Sequence, residues 1–480
     1  MFERAGRALT RTTTAGEEII LRETIVIVGG GFCGTVLAAN LLRRPPADPT
    51  DIVLIERGAA MGRGIAYAAH DFPYLLNVPA GRLSAASEDP LQFLRFAQQS
   101  LPDADAEDFL PRALYGDYLQ HALLQAEQSA PSHVRLTQVF GEVRCIARRD
   151  GEKPLLAVIA DREATPANRI ILALGNPPPA LLPWAKEVRN HRAYVHDPWT
   201  LPKTLGAEHA VLIVGNGLTM ADVALALSRD PDRTPRLATI SRHGLIPETQ
   251  TTFRPSAVQG DGEALLARAT SIRQVLSATR ELAREVLHLG GDWREVVTFI
   301  RTLAPHIWRR LPELEQRRFV RHLQCYWDIH RHRLPPALST RIEYLRRSGI
   351  LRVYAGRIER LVPFREQLRV LWRRRGSDDT TELVVDAVIN ATGPDYVVNR
   401  SVDPLVVSLR NDGLIAPDGL NLGLRTTTHA ACVAADGRAS EHLYYLGPLL
   451  RAAHWEATAA TELRNHAEHL ARHLVERSGR

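Results

Sequence analysis

Three glycines, Gly29, Gly31 and Gly34, stand between the apolar, β-branched run TIVIV and the Ala- and Leu-rich stretch GTVLAANLL. In this G-x-G-x-x-G spacing the first glycine permits a tight turn, the second lets a diphosphate approach the backbone, and the third lets helix and strand pack closely. The start of the helix presents its backbone N–H groups to the anion. The pattern therefore predicts a strand, a diphosphate-binding turn that also holds Phe32 and Cys33, and a helix.

An acidic residue ends the next apolar run, DIVLIE, at Glu56, 22 residues past Gly34. A carboxylate at the end of the second strand of such a unit accepts hydrogen bonds from ribose hydroxyls, so Glu56 is predicted to hold the adenosine ribose. Arg57, the next residue, is assigned to the same site. The helix start could lower the pKa of the Cys33 thiol. We nevertheless predict that Cys33 packs as a small residue beneath the diphosphate.

A second copy of the pattern, HAVLIVGNGLTMADVALALSR, begins at His209. It again predicts a strand, a turn and a helix. Met220 occupies the third glycine position, so helix and strand must approach each other differently in this copy. The residues assigned to the second turn are Gly215, Gly217, Leu218 and Thr219.

The companion strand of the second copy, RLATISRHG, ends without an acid. It carries Ser241 and Arg242 instead, and a guanidinium at this place can bind the 2′-phosphate of NADP. The strand end thus favours NADPH over NADH. The alternative, an exposed arginine with no ligand, stays open.

Two units with different strand ends indicate two different dinucleotides, FAD in the first unit and NADPH in the second. The predicted fold class is α/β, with two Rossmann-like dinucleotide-binding domains of the two-domain flavoprotein type and a helical insertion. Three later glycines, each at the turn after an apolar strand, are assigned to the FAD site: Gly175, Gly393 and Gly447.

The predicted domain boundaries follow from this order. Residues 1–22 are expected to be a disordered leader, and residues 23–200 and 345–480 to form a discontinuous FAD domain. Residues 201–344 are expected to form the NAD(P)H domain. Within it, helical periodicity over about 263–334 predicts three or four helices, separated at Gly290-Gly291 and Pro305.

Composition limits the function classes. The 480 residues carry 60 basic and 54 acidic side chains, a formal charge of +6 that indicates a solvated surface rather than nucleic-acid binding. Four cysteines without a C-x-x-C pair indicate a reducing compartment and no dithiol centre or metal site. No apolar run is long enough to span a bilayer or serve as a secretion signal, so a cytoplasmic location without membrane partners is predicted.

Several longer stretches carry a family resemblance: GRGIAYAAHDFPYLLNVPAGRLSAASEDPLQFLRF, PRALYGDYL, VGNGLTMADVALAL, YWDIHRHRLPP and NATGPDY. From about Glu23 onward the chain resembles the bacterial FAD/NAD(P)-binding proteins and, more distantly, the flavin monooxygenases that N-hydroxylate ornithine, lysine or aspartate. The resemblance implies noncovalent FAD and an NAD(P)H-dependent oxidoreductase. It implies that Asn77 and Val78 run near the flavin ring, with Asn77 a candidate catalytic residue. Arg63, which follows the acid-terminated strand, lies where it can reach the ribose or the diphosphate.

Three functions remain open at this point. The first is an NADPH-dependent flavin monooxygenase that uses molecular oxygen on a small molecule such as an amine. The second is a flavin-dependent reductase or dehydrogenase without oxygenation, and the third a flavin-binding protein without turnover. The absence of C-x-x-C argues against a disulfide reductase.

The Arg- and His-rich segment 326–336 is either a site for an anionic substrate or the nicotinamide nucleotide, or a salt-bridged helix end. Substrate and oligomeric state are not assigned.

Overall fold

The computed structural model describes residues 10–12, 18–20, 22–148, 155–159, 164–252 and 260–477. The predicted leader lies largely outside these ranges. Eighteen strands are described, in chain order: β1 Thr10–Thr12, β2 Glu18–Ile20, β3 Glu23–Val28, β4 Thr50–Glu56, β5 Val134–Phe140, β6 Val143–Arg148, β7 Leu155–Ile159, β8 Thr165–Ala167, β9 Arg169–Leu172, β10 Tyr194–Val195, β11 Ala210–Val214, β12 Arg236–Ser241, β13 Leu351–Phe364, β14 Gln367–Arg374, β15 Thr380–Val385, β16 Ala387–Asn390, β17 Ala431–Val433 and β18 Ala439–Tyr445.

The described helices are twelve: α1 Phe32–Arg43, α2 Gln92–Gln98, α3 Arg112–Ser129, α4 Leu218–Leu227, α5 Gly262–Ala267, α6 Ile272–His288, α7 Trp293–Arg310, α8 Glu313–His322, α9 Gln324–Arg331, α10 Pro336–Arg347, α11 Pro404–Asn411 and α12 Ala460–Arg477. Short 3₁₀ turns occupy Ala80–Arg82, Pro183–Val188, Pro231–Arg233, Val398–Arg400 and Pro448–Ala452. None of the helices in the described ranges is long and apolar enough to cross a membrane.

The chain divides into two compact units. Unit 1 comprises Met1–Asn176 and Tyr396–Arg480, and unit 2 comprises Pro177–Asp395. Both are α/β units built on a largely parallel sheet, so the predicted fold class is confirmed.

Unit 1 is built on a six-stranded sheet in the order β17-β18-β9-β3-β4-β5. All neighbours are parallel except β17, which pairs antiparallel with β18 at one edge. Helix α1 packs against α3 and α12, and its residues Cys33–Leu42 are buried, as expected for a helix between a parallel sheet and other helices. The predicted strand and helix around the first glycine turn are therefore confirmed.

Unit 2 is built on a seven-stranded sheet in the order β10-β16-β11-β12-β13-β14-β15. Its first five strands are parallel, and β13 continues into an antiparallel meander with β14 and β15. Helix α4 follows β11 directly, and α10 packs against α4 and β13. The second predicted strand, turn and helix are present at this place.

The unit boundaries differ from the predicted domains. Residues 177–200 and 345–395, expected in the FAD domain, belong to unit 2. The reason is strand pairing: β10 and β16 pair with each other, β16 pairs with β11, and β13 pairs with β12. The described part of the leader contains the antiparallel pair β1 and β2.

The helical insertion contains five helices, α5 to α9, rather than three or four. Gly290 and Gly291 separate α6 from α7 as expected, but Pro305 lies inside α7 rather than ending a helix. The insertion has its own apolar cluster, to which Val275, Val296 and Ile300 contribute. This cluster anchors the helices independently of the sheet.

Candidate functional site

The first glycine turn is shaped by close backbone contacts. Gly29 has φ +108°, which favours glycine, and a Cβ at this residue would overlap the carbonyl oxygen of Ala173 at the end of β9. A Cβ on Gly34 would overlap the carbonyl oxygen of Gly29, so α1 lies directly on the turn. Gly31, by contrast, has room: its Cβ would stand 3.6 Å from Cα of Gly64. Gly29 and Gly34 thus permit close backbone packing, whereas Gly31 leaves free space beside the turn.

Helix α1 begins without any side-chain cap. Its N-cap residue is Gly31, and its first turn, which starts with Phe32 and Cys33, contains no acidic residue. Uncapped N–H groups at a helix start have partial positive charge and bind anions. The place predicted for a diphosphate therefore has donors that no side chain in the described ranges caps.

Glu56 ends β4 and is 8 % exposed. Its two carboxylate oxygens each accept a backbone hydrogen bond of 2.7 Å, Oε2 from Gly30 N and Oε1 from Gly58 N. The carboxylate thus ties the glycine turn to the loop after β4. An ionised carboxylate has about four acceptor positions, so it retains capacity for ribose hydroxyls.

The two predicted arginines of this site both have carboxylate partners. Arg57 Nη1 lies 3.4 Å from Asp403 Oδ2, and Arg63 is ion-paired with Asp117. The loop that carries Arg63 lies beside the glycine turn, because Gly62 N donates to Gly30 O at 2.7 Å. Arg63 is therefore brought to the turn and held there by Asp117.

Cys33 is 5 % exposed, and burial raises the pKa of its thiol to about 12. The idea that the helix start lowers this pKa is wrong, because desolvation dominates. The side chain belongs to the apolar core of unit 1. This location agrees with the predicted packing role.

The remaining residues assigned to FAD occupy different places. Asn77 and Val78 are half-buried before a 3₁₀ turn, and Val78 packs against the core. Nothing lies within 4 Å of a Cβ built on Gly175, while one on Gly447 would meet Tyr445 Oη at 2.8 Å. Gly393 follows β16 and therefore lies in unit 2, not in the unit that holds the first glycine turn.

The second turn repeats the geometry of the first. Gly215 has φ +107°, and its Cβ would overlap the carbonyl oxygen of Ala391 at the end of β16. Gly217 is the uncapped N-cap of α4, and nothing lies within 4 Å of a Cβ there. Leu218 and Thr219 form the first turn of α4, and Met220 is completely buried.

Asn216, between the two glycines, was not assigned to the site from sequence. It is 6 % exposed, and neither Oδ1 nor Nδ2 has a hydrogen-bond partner in the described part of the chain. An unmet buried amide costs about 1–3 kcal/mol per group, so this residue is suited to a ligand that supplies the missing partners. The signal in the sequence is a polar residue inside a G-x-G turn.

The end of β12 is strongly basic. Burial lowers the pKa of His243, and the guanidinium groups of Arg375, Arg242 and Arg357 lower it further. Strand register brings Arg375 close to the end of β12. Ser241 pairs with Ala355 on β13, and the carbonyl oxygen of Ala355 accepts from Arg375 N at 2.9 Å. Ser241 Oγ itself accepts from Gly244 N at 3.0 Å. Arg357, on β13, and Arg375, just after β14, were missed because residues 345–480 were assigned to the other domain.

Segment 326–336 lies partly beside this basic strand end. The Tyr326 ring is 5.8 Å from that of His243, and His330 Nδ1 is 2.7 Å from the carbonyl oxygen of Tyr326. Asp328 Oδ2 accepts from Gln324 Nε2 at 3.2 Å. Helix α9 ends at Arg331, before the two prolines.

Comparisons with known proteins agree with this geometry. Residues 26–177 match a family model described as FAD-NAD(P)-binding. No curated protein matches the chain in a sequence search.

Solved structures match nearly the whole chain at low identity. The FAD-bound cadaverine monooxygenase DfoA of Erwinia amylovora has a TM-score of 0.63 at 13 % identity, with 95 % of each chain covered. The ornithine N-hydroxylase KtzI of Kutzneria sp. 744 has a TM-score of 0.58 at 15 % identity, covering 95 % of this chain and 99 % of that one. The bacillithiol disulfide reductase Bdr of Staphylococcus aureus has a TM-score of 0.55 at 13 % identity with the same coverage.

At these identities the structures show the fold alone. They confirm the predicted resemblance to the N-hydroxylating monooxygenases, and they show that a disulfide reductase shares the fold as well. Residues 26–177 match the FAD-NAD(P)-binding family model, and the chain as a whole shares the fold of these solved structures.

Proposed function

We propose that this protein is an NADPH-dependent flavin monooxygenase that uses molecular oxygen to hydroxylate a small molecule, with amines hydroxylated on nitrogen as the favoured class. The observation that carries the proposal is the pair of uncapped glycine turns with opposite charge beside them. Glu56 ends the second strand of one turn, and Arg242, Arg357 and Arg375 converge at the second strand of the other.

The two turns suit two different cofactors. In unit 1, the start of α1 would hold the diphosphate of FAD and Glu56 its ribose. In unit 2, the start of α4 would hold the diphosphate of NADPH, while the arginines at the end of β12 would hold the 2′-phosphate. Asn216, with its unmet amide, would donate to or accept from the second dinucleotide.

When bound, FAD supplies the redox chemistry, accepting hydride and passing electrons onward. The protein positions the cofactors and the substrate and shields the reacting groups from water. Burial of Cys33 and Cys432 raises the pKa of each thiol to about 12, and all four cysteines are unpaired. The sequence contains no C-x-x-C dithiol to carry electrons to a disulfide, which counts against a disulfide reductase and leaves oxygen or another small acceptor. The cytoplasmic location inferred from cysteine spacing stays a prediction.

Coenzyme choice is tested first, with Arg242→Gln. Loss of one charged hydrogen bond to phosphate removes about 1.5–3 kcal/mol, so the KM for NADPH should rise about tenfold to a hundredfold while that for NADH changes little. Arg352→Gln is the matched control, because Arg352 is an exposed arginine on β13 that pairs with Ala238, well before the end of β12. Equal losses with both coenzymes would remove the argument for phosphate selection.

The acceptor is tested with purified, FAD-loaded protein and the small amines cadaverine, ornithine and lysine as probes. Monooxygenation requires one oxygen and one NADPH consumed for each hydroxylated product, with no product under nitrogen. NADPH oxidation that continues anaerobically with a quinone as acceptor identifies the second candidate, a flavin-dependent reductase. The disulfide reductase among the similar folds is the observation that favours this alternative.

A third outcome is also informative. Protein that keeps its flavin but oxidises neither NADPH nor NADH under any of these conditions is a flavin-binding protein without turnover, and the proposal of catalysis then fails. Protein that takes up no flavin at all contradicts the assignment of the first turn.

A further inference from the structure

The residue that ends the helical insertion, Arg333, has an unusual environment. Nε and Nη1 of its guanidinium are buried and have no hydrogen-bond partner in the described ranges. An arginine has five N–H donors and no acceptor. A buried donor without a partner loses its hydration and gains nothing in return, and the loss is larger for a charged group.

An aromatic ring lies next to this guanidinium. Arg333 Cζ is 5.8 Å from the centroid of Trp293, whose ring also contacts Arg294 at 4.4 Å and His330 at 5.0 Å. The backbone next to Arg333 is held by two hydrogen bonds. Leu334 N donates to Glu248 O at 2.8 Å, and Gln250 N donates to Leu334 O at 2.7 Å. The backbone pairing of Leu334 therefore fixes the position of Arg333, and the start of α7 fixes that of Trp293.

The carboxylate of Asp292, which acts electrostatically on Arg333, is already engaged. Asp292 accepts from Arg294 Nη1 with both oxygens, at 3.1 and 3.0 Å, and Oδ1 also accepts from Arg294 N at the start of α7. Arg294 uses its remaining donors, Nε and Nη2, on the carbonyl oxygen of Thr249. Arg294 thus occupies both oxygens of Asp292, while Nε and Nη1 of Arg333 have no hydrogen-bond partner in the described ranges.

The surroundings add to this positive potential. The pKa of Arg333 is lowered to about 10, chiefly by burial and also by Arg294, Arg331 and Arg301, with Asp292 opposing them. The guanidinium groups of Arg294, Arg331 and Arg301 thus act on Arg333, and the carboxylate of Asp292 opposes them. Such a site is stabilised by a bound anion, because the anion restores both the missing charge and the missing acceptors.

We propose that the helical insertion binds an oxyanion, the carboxylate or phosphate group of a small molecule, at the guanidinium of Arg333 with the indole of Trp293 beside it. Nε and Nη1 of the guanidinium each supply a charged donor for an oxygen of a carboxylate or phosphate. The indole provides an apolar surface for the part of the molecule next to the anion. This site is distinct in its residues from both glycine turns and from the basic end of β12.

Binding is measured by calorimetry on the full-length, FAD-loaded protein in low-salt buffer free of other oxyanions, with saturating NADP⁺ present so that the dinucleotide sites are occupied. Inorganic phosphate and succinate are the two probes, and they distinguish a phosphate site from a carboxylate site. Arg333→Gln is expected to weaken binding of the preferred probe about tenfold or more, and Arg333→Lys by less, because Lys keeps the charge but has a single donor nitrogen. Arg280→Gln, which removes an exposed charge from α6, is expected to leave binding unchanged.

Thermal unfolding without added anion separates a binding role from a structural one. A guanidinium that awaits a ligand contributes no stability to the free protein, so Arg333→Gln should unfold at the wild-type temperature or above it. The preferred probe should then raise the unfolding temperature of the wild type and not that of the variant. The proposal is overturned if Arg333→Gln unfolds at a lower temperature without anion, or if wild type and variant respond equally, or neither responds, to phosphate and succinate.

Discussion

The glycines of the first turn give a direct test of how this structure makes its cofactor site. A Cβ on Gly34 would overlap the carbonyl oxygen of Gly29 and stand 3.1 Å from its carbonyl carbon and 3.2 Å from Ile27 Cγ2. The obstacle is backbone, which a rotamer change cannot remove. A Cβ on Gly31 would meet nothing nearer than 3.6 Å, and its φ of −71° and ψ of −160° are open to alanine.

Gly34→Ala should therefore destabilise the protein and Gly31→Ala should not. Overpacking typically costs about 1–3 kcal/mol, and a backbone overlap belongs at the upper end, about 3 kcal/mol. At about 2–4 °C for each kcal/mol in a unit of this size, the unfolding temperature of Gly34→Ala should fall by about 6–12 °C. For Gly31→Ala the methyl group intrudes only where a diphosphate would approach, so FAD binding should weaken about tenfold with little change in unfolding temperature.

The assay combines thermal unfolding of the apoprotein with the ratio of flavin to protein absorbance after reconstitution and gel filtration. Gly217→Ala is the control in the second unit, because nothing lies within 4 Å of a Cβ there. It should leave FAD content and stability unchanged and weaken NADPH binding. Wild-type stability of Gly34→Ala, or full FAD content in Gly31→Ala, would refute the reasoning.

Three further predictions follow from other residues. Burial lowers the pKa of His466 to about 4, with His454 and His469 adding to the effect, so the unfolded state takes up a proton first as the pH falls below about 6.5. Stability should decline between about pH 6.5 and 4, by about 2 kcal/mol at pH 5, and urea unfolding at pH 7.5 and pH 5 should show that His466→Gln lacks this part of the decline. Glu56→Gln places an amide NH₂ against a backbone donor, so it should lower stability by about 1.5–3 kcal/mol and weaken FAD retention, whereas an unchanged urea midpoint would contradict the double acceptor role. Because burial raises the thiol pKa of Cys33 to about 12, iodoacetamide at pH 8 should leave Cys33 unmodified in the folded protein and modify it in urea, as peptide mass spectrometry can establish.

Local patterns predicted the two turns well. Each consists of a buried β-branched strand, a glycine bend and a helix within about twenty residues, and all three features are read from neighbours in sequence. Glu56 was found for the same reason, because it ends a strand that follows at a fixed distance. These elements lie where they were expected, while their contacts with cofactors remain predictions.

The division into units was harder to predict, because it depends on which strands pair over long distances. The runs at β9 and β16 look alike in sequence, since both are short, apolar and followed by glycine. Pairing nevertheless places β9 beside β3 and β16 beside β11. The same limit explains why Arg357 and Arg375 were not connected with Arg242.

Unmet hydrogen-bonding groups could not be identified from sequence at all. Asn216 and Arg333 are ordinary polar residues in the printed chain, and only the structure reveals that their buried atoms have no partner within the described residues. Whether a buried polar group is satisfied depends on every segment folded around it. Such groups are therefore the features for which coordinates add most to a prediction of function.

The interruption of unit 1 by unit 2 has a consequence for biosynthesis. Strand β9 needs β18 as its second neighbour, with Ile170 opposite Leu443, and β18 leaves the ribosome roughly 270 residues after β9. At about 5–20 residues per second, the edge of β9 stays uncovered for about 14–54 s, long enough for contact with other nascent chains. Unit 2 contains every strand of its own sheet, and its ends meet where Pro179 bridges Pro394. The intervening residues can thus complete their sheet while the β9 edge of unit 1 is still uncovered.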